Sequence, residues 1–195
     1  MPSVVWYFDF VSPYAYLGLH ALRRLPQGGQ IQYRPVLFAG LLNHFGQKGP
    51  AEIASKRKWT YRSCIWLARQ NQIPFRMPAT HPFNPTAIEI IFRTLWTTGL
   101  NPGLPSVIER LAGQLDVPLE RLSDARVKDE LRENTERAAQ SGVFGVPSLS
   151  VDDEVFWGSD AVEFAAAYLK NPGILDEEIQ RADALPIGAS RPGAT

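Results

Sequence analysis

Residues 3–8 read Ser-Val-Val-Trp-Tyr-Phe, an apolar run of β-branched and aromatic residues with no polar alternation, broken at Asp9 to Pro13. A strand of this kind is buried on both faces, so the chain must cover it with layers on either side. Ser12-Pro13 is a favoured pair for the cap and first turn of a helix, and Tyr16, Leu17, Leu19, His20, Leu22 and Arg23 continue at helical spacing to Leu25. Pro26 and Gly28-Gly29 end that helix, and Ile31 to Pro35 (Ile-Gln-Tyr-Arg-Pro) read as a second strand. The outcome is a strand, helix, strand unit of about 30 residues with a right-handed crossover.

From residue 39 to about 140 the pattern turns helical, with helices expected over 51–70, 85–98, 105–115 and 123–140. That is too long for one crossover. Punctuated by Pro74, Pro78, Pro82, Pro102 and Pro118, it reads as an all-helical subdomain inserted into a small sheet domain. Ser123-Asp124 offers an N-cap to the last helix, whose mixed charges form a solvated face. After Gly142, residues 147–151 and 154–157 form a hairpin about Asp152-Asp153, and Gly158-Ser159-Asp160 opens a helix to Leu169 with Phe164, Ala165, Tyr168 and Leu169 inward. The expected organisation is a discontinuous sheet domain, 1–38 and 141–185, around an insertion at 39–140, with 186–195 disordered.

Of the 195 residues 45% are hydrophobic, and 20 Lys and Arg balance 20 Asp and Glu with no basic track for a phosphate backbone. Nucleic acid is not an expected partner. No apolar run approaches the roughly 20 residues of a bilayer span, and no export signal is visible at Met1-Pro2-Ser3, so the expected location is the cytoplasm. Cys64 is the only cysteine, which excludes an internal disulfide and a four-thiolate zinc site and suits a small buried hydrophobe. His20, His44 and His81 lack metal-ligand spacing, and Trp59, Trp66 and Trp96 are expected in the core.

The element order is that of a thioredoxin-like domain interrupted in its middle. Redox members of that fold carry Cys-x-x-Cys at the first helix start, where this chain has Ser12-Pro13-Tyr14-Ala15, so thiol exchange by its own cysteines is excluded. A helix N-terminus, with its unpaired N–H groups and partial positive charge, still favours an anion such as a bound thiolate, and the Ser12 hydroxyl can donate to it. Val146-Pro147 precedes a strand, where the fold carries a cis proline beside its ligand groove. Read locally, Ser12 and Asp160 are equally helix caps and Pro147 a trans proline starting an edge strand.

Phe8-Asp9-Phe10-Val11-Ser12-Pro13-Tyr14, His81-Pro82-Phe83-Asn84-Pro85, Gly142-Val143-Phe144-Gly145-Val146-Pro147-Ser148 and Phe156-Trp157-Gly158-Ser159-Asp160 resemble the 2-hydroxychromene-2-carboxylate isomerase family, grouped with the kappa-class glutathione transferases. The likeness runs in order over about residues 4–170. It implies glutathione as cofactor, with Ser12 contacting and activating the sulfur, Val146 pairing with the cysteinyl backbone next to Pro147, and Ser159 and Asp160, adjoining Trp157 and Gly158, holding the γ-glutamyl end. It also implies an aromatic carboxylate substrate met by Arg34, Gln47 and Asn84. Family members are commonly dimers. Ala161 stands where the family has Arg, Gln47 where it has Asn, and Ile90 lies where an Arg is usual. Three readings stay open: an isomerase of aromatic 2-oxoacids in aromatic hydrocarbon breakdown, a transferase conjugating electrophiles, and a glutathione-binding protein without turnover.

Overall fold

The structure, a computed structural model, describes residues 2–26, 30–78, 89–101, 103–120, 124–186 and 188. The first strand, β1 (Val4–Phe8), is buried at every position. Val4, Trp6 and Phe8 enter one hydrophobic cluster, and Val5 and Tyr7 enter another on the opposite face. That two-sided burial is why the run shows no alternation.

Helix α1 (Pro13–Ala21) follows, with Ser12 as N-cap in extended conformation. It does not continue to Leu25 in α form. Residues Leu22–Arg24 tighten into a 3-10 turn, closed by Leu25 N–H donating to Leu22 O at 3.1 Å. Strand β2 (Ile31–Pro35) then lies parallel to β1, with Val4 opposite Ile31 and Tyr7 opposite Arg34.

The hairpin falls where the sequence put it, as β3 (Ser148–Val151) and β4 (Glu154–Trp157), both antiparallel to their neighbours. The strand order β2-β1-β3-β4 leaves β2 and β4 at the edges.

The helical stretch contains α2 (Phe38–His44), α3 (Ala54–Gln70), α4 (Glu89–Thr98), α5 (Pro105–Gln114) and α6 (Ala125–Gln140), and the hairpin leads into α7 (Val162–Lys170) and α8 (Glu177–Asp183). Asp124 caps α6 by accepting from Arg126 N–H, whereas Ser123 lies outside the described residues. The cluster on one face of the sheet unites α1, α7 and side chains of α3, α4 and α5, while Leu41 of α2 and Ala138 and Ala139 of α6 close the other.

Two core expectations are corrected. Helix α3 buries Thr60, Cys64 and Ala68, small residues at four-residue spacing that let it approach closely, so Trp59 and Trp66 are left 70% and 60% exposed. Trp96 is fully buried as expected. Phe164 is 45% exposed, its ring set edge-on to Phe156, while Ala165 of the same helix is buried.

Candidate active site

The turn between β1 and α1 is held by Asp9. Its carboxylate accepts from Val11 N–H at 3.0 Å and from Phe38 N–H at 2.8 Å, tying the start of α1 to the start of α2. Burial pushes the Asp9 carboxyl above its ordinary value, and the two backbone donors oppose that rise. Asp9 is therefore a buried strut under the site, a role the sequence reading did not give it.

Above it, Ser12 is buried apart from a 7% exposed remnant. Its Oγ accepts from Ala15 N–H at 3.2 Å, the ordinary cap contact, and donates to Val146 O at 3.3 Å across 134 residues of chain. The first helix and the loop before β3 thus meet through one hydroxyl. The Val146–Pro147 peptide is cis. Gly18 makes room for the proline: a Cβ there would lie 3.2 Å from Pro147 Cγ and 3.8 Å from Ser159 Cβ. Pro147 O in turn accepts from Gly158 N–H at 3.0 Å, which draws the end of β4 to the same place. Gly158 has φ +111, a conformation suited to glycine, and the Asp160 carboxylate lies over its Cα where a side chain would collide.

These contacts form one wall of a cleft of about 1010 Å³ running along α1. Val146, Pro147, Trp157, Gly158, Ser159 and Asp160 line that wall, and Trp59, Ser63 and Leu67 of α3 line the opposite one. Ser12 lies behind that wall, bonded to Val146 rather than lining the cleft itself. Asp160 does not cap α7, whose N-cap is Ala161 with no side-chain cap bond, and the Asp160 carboxylate makes no hydrogen bond or ion pair among the described residues. An unpaired carboxylate at the mouth of a cleft is a ready acceptor for a ligand cation.

Tyr14 and Ser63 were missed by the sequence reading. The Tyr14 hydroxyl and Ser63 Oγ lie 2.5 Å apart, and Ser63 Oγ also donates to Thr60 O at 3.2 Å. With the Ser63 proton directed to Thr60, Tyr14 is the donor to Ser63 Oγ. Burial raises the Tyr14 phenol above its ordinary value, so it stays protonated. Cys64 beside it is fully buried, and burial pushes its thiol up to about 12. It is therefore a poor nucleophile.

Of the three expected substrate contacts, Arg34 and Gln47 are not brought to this cleft. Arg34 faces the other side of the sheet, because it stands opposite Tyr7 in the register and shares its face. Its guanidinium lies 5.9 Å from the centre of the Tyr7 ring and donates to Gln32 Oε1 at 3.1 Å. Gln47 is exposed in the turn after α2, away from the cleft lining. Asn84, with the whole His81 to Pro85 motif, lies outside the described residues. Among the described residues no cluster of His, Cys, Asp and Glu could hold a metal ion, and no helix is long and apolar enough to cross a membrane.

A four-stranded sheet with a capped helix start facing a cis-proline loop defines a thioredoxin-like protein. The DsbA-like thioredoxin domain matches residues 3–89 and 84–170, and the chain belongs to that family. Its relatives give the branch. The 2-hydroxychromene-2-carboxylate isomerase of Sphingobium xenophagum is 28% identical over 190 residues, spanning 86% of this chain and 97% of the relative. Glutathione S-transferase kappa 2 of Caenorhabditis elegans is 30% identical over 207 residues, spanning 87% and 92%. A solved 2-hydroxychromene-2-carboxylate isomerase superposes with TM-score 0.75 at 24% identity, over 94% of this chain and 99% of the other, which shows the shared fold. The resemblance carried by the sequence motifs agrees with these relatives, which are isomerases and kappa-class transferases.

Proposed function

We propose that the protein is a glutathione-dependent isomerase of 2-hydroxychromene-2-carboxylate-type aromatic 2-oxoacids, with the α1 cleft as its active site. The observation that carries the reading is that Val146 and Asp160 line one cleft and that Ser12, at the start of α1, is bonded to Val146. A tripeptide thiol fits these residues. Its sulfur is placed at the α1 start, its peptide against the Val146–Pro147 backbone, and its ammonium at the unpaired Asp160 carboxylate with Ser159 alongside. The cleft volume exceeds what such a ligand needs and leaves space for a second molecule.

Glutathione, when bound, supplies a thiolate that adds reversibly to the conjugated oxoacid and permits bond rotation. The chain's part is electrostatic. The Ser12 hydroxyl is held from behind by Ala15 N–H, which leaves its proton free to turn from Val146 O toward a sulfur anion. At 3.3 Å the contact with Val146 is longer than the usual 2.7–2.8 Å for such a bond, so little is lost in the turn. The partial positive charge at the start of α1 acts in the same direction. Trp59, exposed on the facing wall, offers an apolar plane to an aromatic substrate. The reaction is confined to the cytoplasm on this reading, in a protein that forms a homodimer.

A transferase reading is favoured by the kappa-class relative at 30% identity. The same cleft would then join glutathione to an electrophile and release the conjugate. Calorimetric titration with glutathione, followed by turnover of 2-hydroxychromene-2-carboxylate and of a generic electrophile, separates the cases. Isomerisation without net glutathione consumption supports the isomerase. Consumption in step with product supports the transferase, and tight binding with neither activity leaves a binding protein.

A further inference from the structure

On the side of α1 away from α3, a second groove of about 540 Å³ lies between α1, the edge strand β2 and α4. Its floor is apolar, formed by Leu19, Leu22 and Ile31. Two tyrosines wall it. Tyr16 is held by donating from its hydroxyl to Pro74 O at 2.6 Å, and Tyr33 is 46% exposed with its ring edge-on to Trp6. Two cations stand over it, Arg23 from the 3-10 turn and Arg93 from α4.

Arg24, Arg126, Arg132 and Arg137 each sit in an ion pair with an acidic side chain. The Arg23 and Arg93 guanidinium groups make no ion pair or hydrogen bond among the described residues, and no acidic side chain among those residues lines the groove. In a chain with equal numbers of basic and acidic groups, the result is a local positive site over an apolar, ring-walled floor.

We propose that this groove is a second ligand site and that it takes an aromatic carboxylate. The ring lies on the floor between Tyr16 and Tyr33, and the carboxylate is received by Arg93 with Arg23 beside it. An arginine suits that contact because its planar fork can meet both carboxylate oxygens. The volume falls within the range of small-molecule sites. Arg23 borders the α1 cleft as well, so the two sites are neighbours along the same helix. The proposal does not depend on glutathione chemistry, and its test involves no turnover.

The test is calorimetric binding of 1-naphthoate and of its neutral counterpart 1-naphthalenemethanol to the full chain at low ionic strength. The expected result is that naphthoate binds at least about ten-fold more tightly than the alcohol, as one charge-assisted contact provides. Arg93→Gln removes that preference and Arg93→Lys restores part of it, while added glutathione leaves naphthoate binding unchanged. Arg93 is exposed, so the fold should tolerate both replacements, and Tyr33→Ala, also at an exposed position, supplies an independent loss of affinity. Equal binding of acid and alcohol, an unaltered preference in Arg93→Gln, or displacement of naphthoate by glutathione overturns the proposal.

Discussion

Replacing Ser12 with alanine removes one oxygen that does two structural things and, on this account, one chemical thing. The Oγ accepts from Ala15 N–H at 3.2 Å and donates to Val146 O at 3.3 Å. The cap contributes about 1 kcal/mol. The bond to Val146 is long and adds only about 0.5 kcal/mol. Urea unfolding of Ser12→Ala should therefore show a loss of about 1.5 kcal/mol, leaving the chain folded. The effect on chemistry is separate, because a donor aimed at a developing anion counts most when the charge forms. Glutathione-dependent turnover should fall about 10- to 1,000-fold, chiefly in kcat. The assay is steady-state isomerisation of 2-hydroxychromene-2-carboxylate at saturating glutathione, with Ser12→Cys retaining part of the rate. If Ser12→Ala loses the expected stability yet turns over at the wild-type rate, the hydroxyl is a helix cap and the thiolate argument fails.

Other outcomes follow from neighbouring contacts. Gly18→Val should destabilise the protein by about 1–3 kcal/mol and weaken glutathione binding, because a Cβ already lies 3.2 Å from Pro147 and branching crowds Ser159; calorimetry showing wild-type affinity would count against the placement. Asp160→Asn should weaken glutathione about ten-fold or more but leave a des-amino analogue unaffected, since only the ammonium needs the carboxylate; equal losses for both ligands would argue for a structural role. Asp9 has a folded-state value raised above 3.8 by burial, so its contribution to stability is complete below that pH and is lost as pH rises through the raised value. The difference in urea midpoint between wild type and Asp9→Asn should accordingly shift in favour of wild type on acidification, and a slope of opposite sign would contradict it.

What could be read in advance was whatever local chemistry decides. Ser12-Pro13 announces a helix start through capping and a fixed φ, and Asp152-Asp153 announces a two-residue turn, so α1 and the β3–β4 hairpin fall in place. The cleft wall from Val146 to Asp160 was legible through motifs in a known order. Arg34 was not, because the face it presents depends on pairing with Tyr7 and on which helices cover each side of the sheet. Both are long-range facts. The tryptophans of α3 misled for a related reason: large apolar residues suggest a core, but α3 packs through Thr60, Cys64 and Ala68, and its bulk faces outward. Tyr14 and Ser63 could have been suspected only from knowing that α1 and α3 lie side by side. Gly18 looks like an interruption in a helix until Pro147 is seen against it.

The central claim is that the start of α1 stabilises a glutathione thiolate. A difference-ultraviolet titration of the thiolate band, with glutathione at equimolar protein, tests it most directly. The account predicts that the bound thiol ionises at lower pH than free glutathione and that Ser12→Ala returns the titration part of the way toward the free value. A bound thiol that ionises at the same pH as in water, or no binding of glutathione at all, would contradict it.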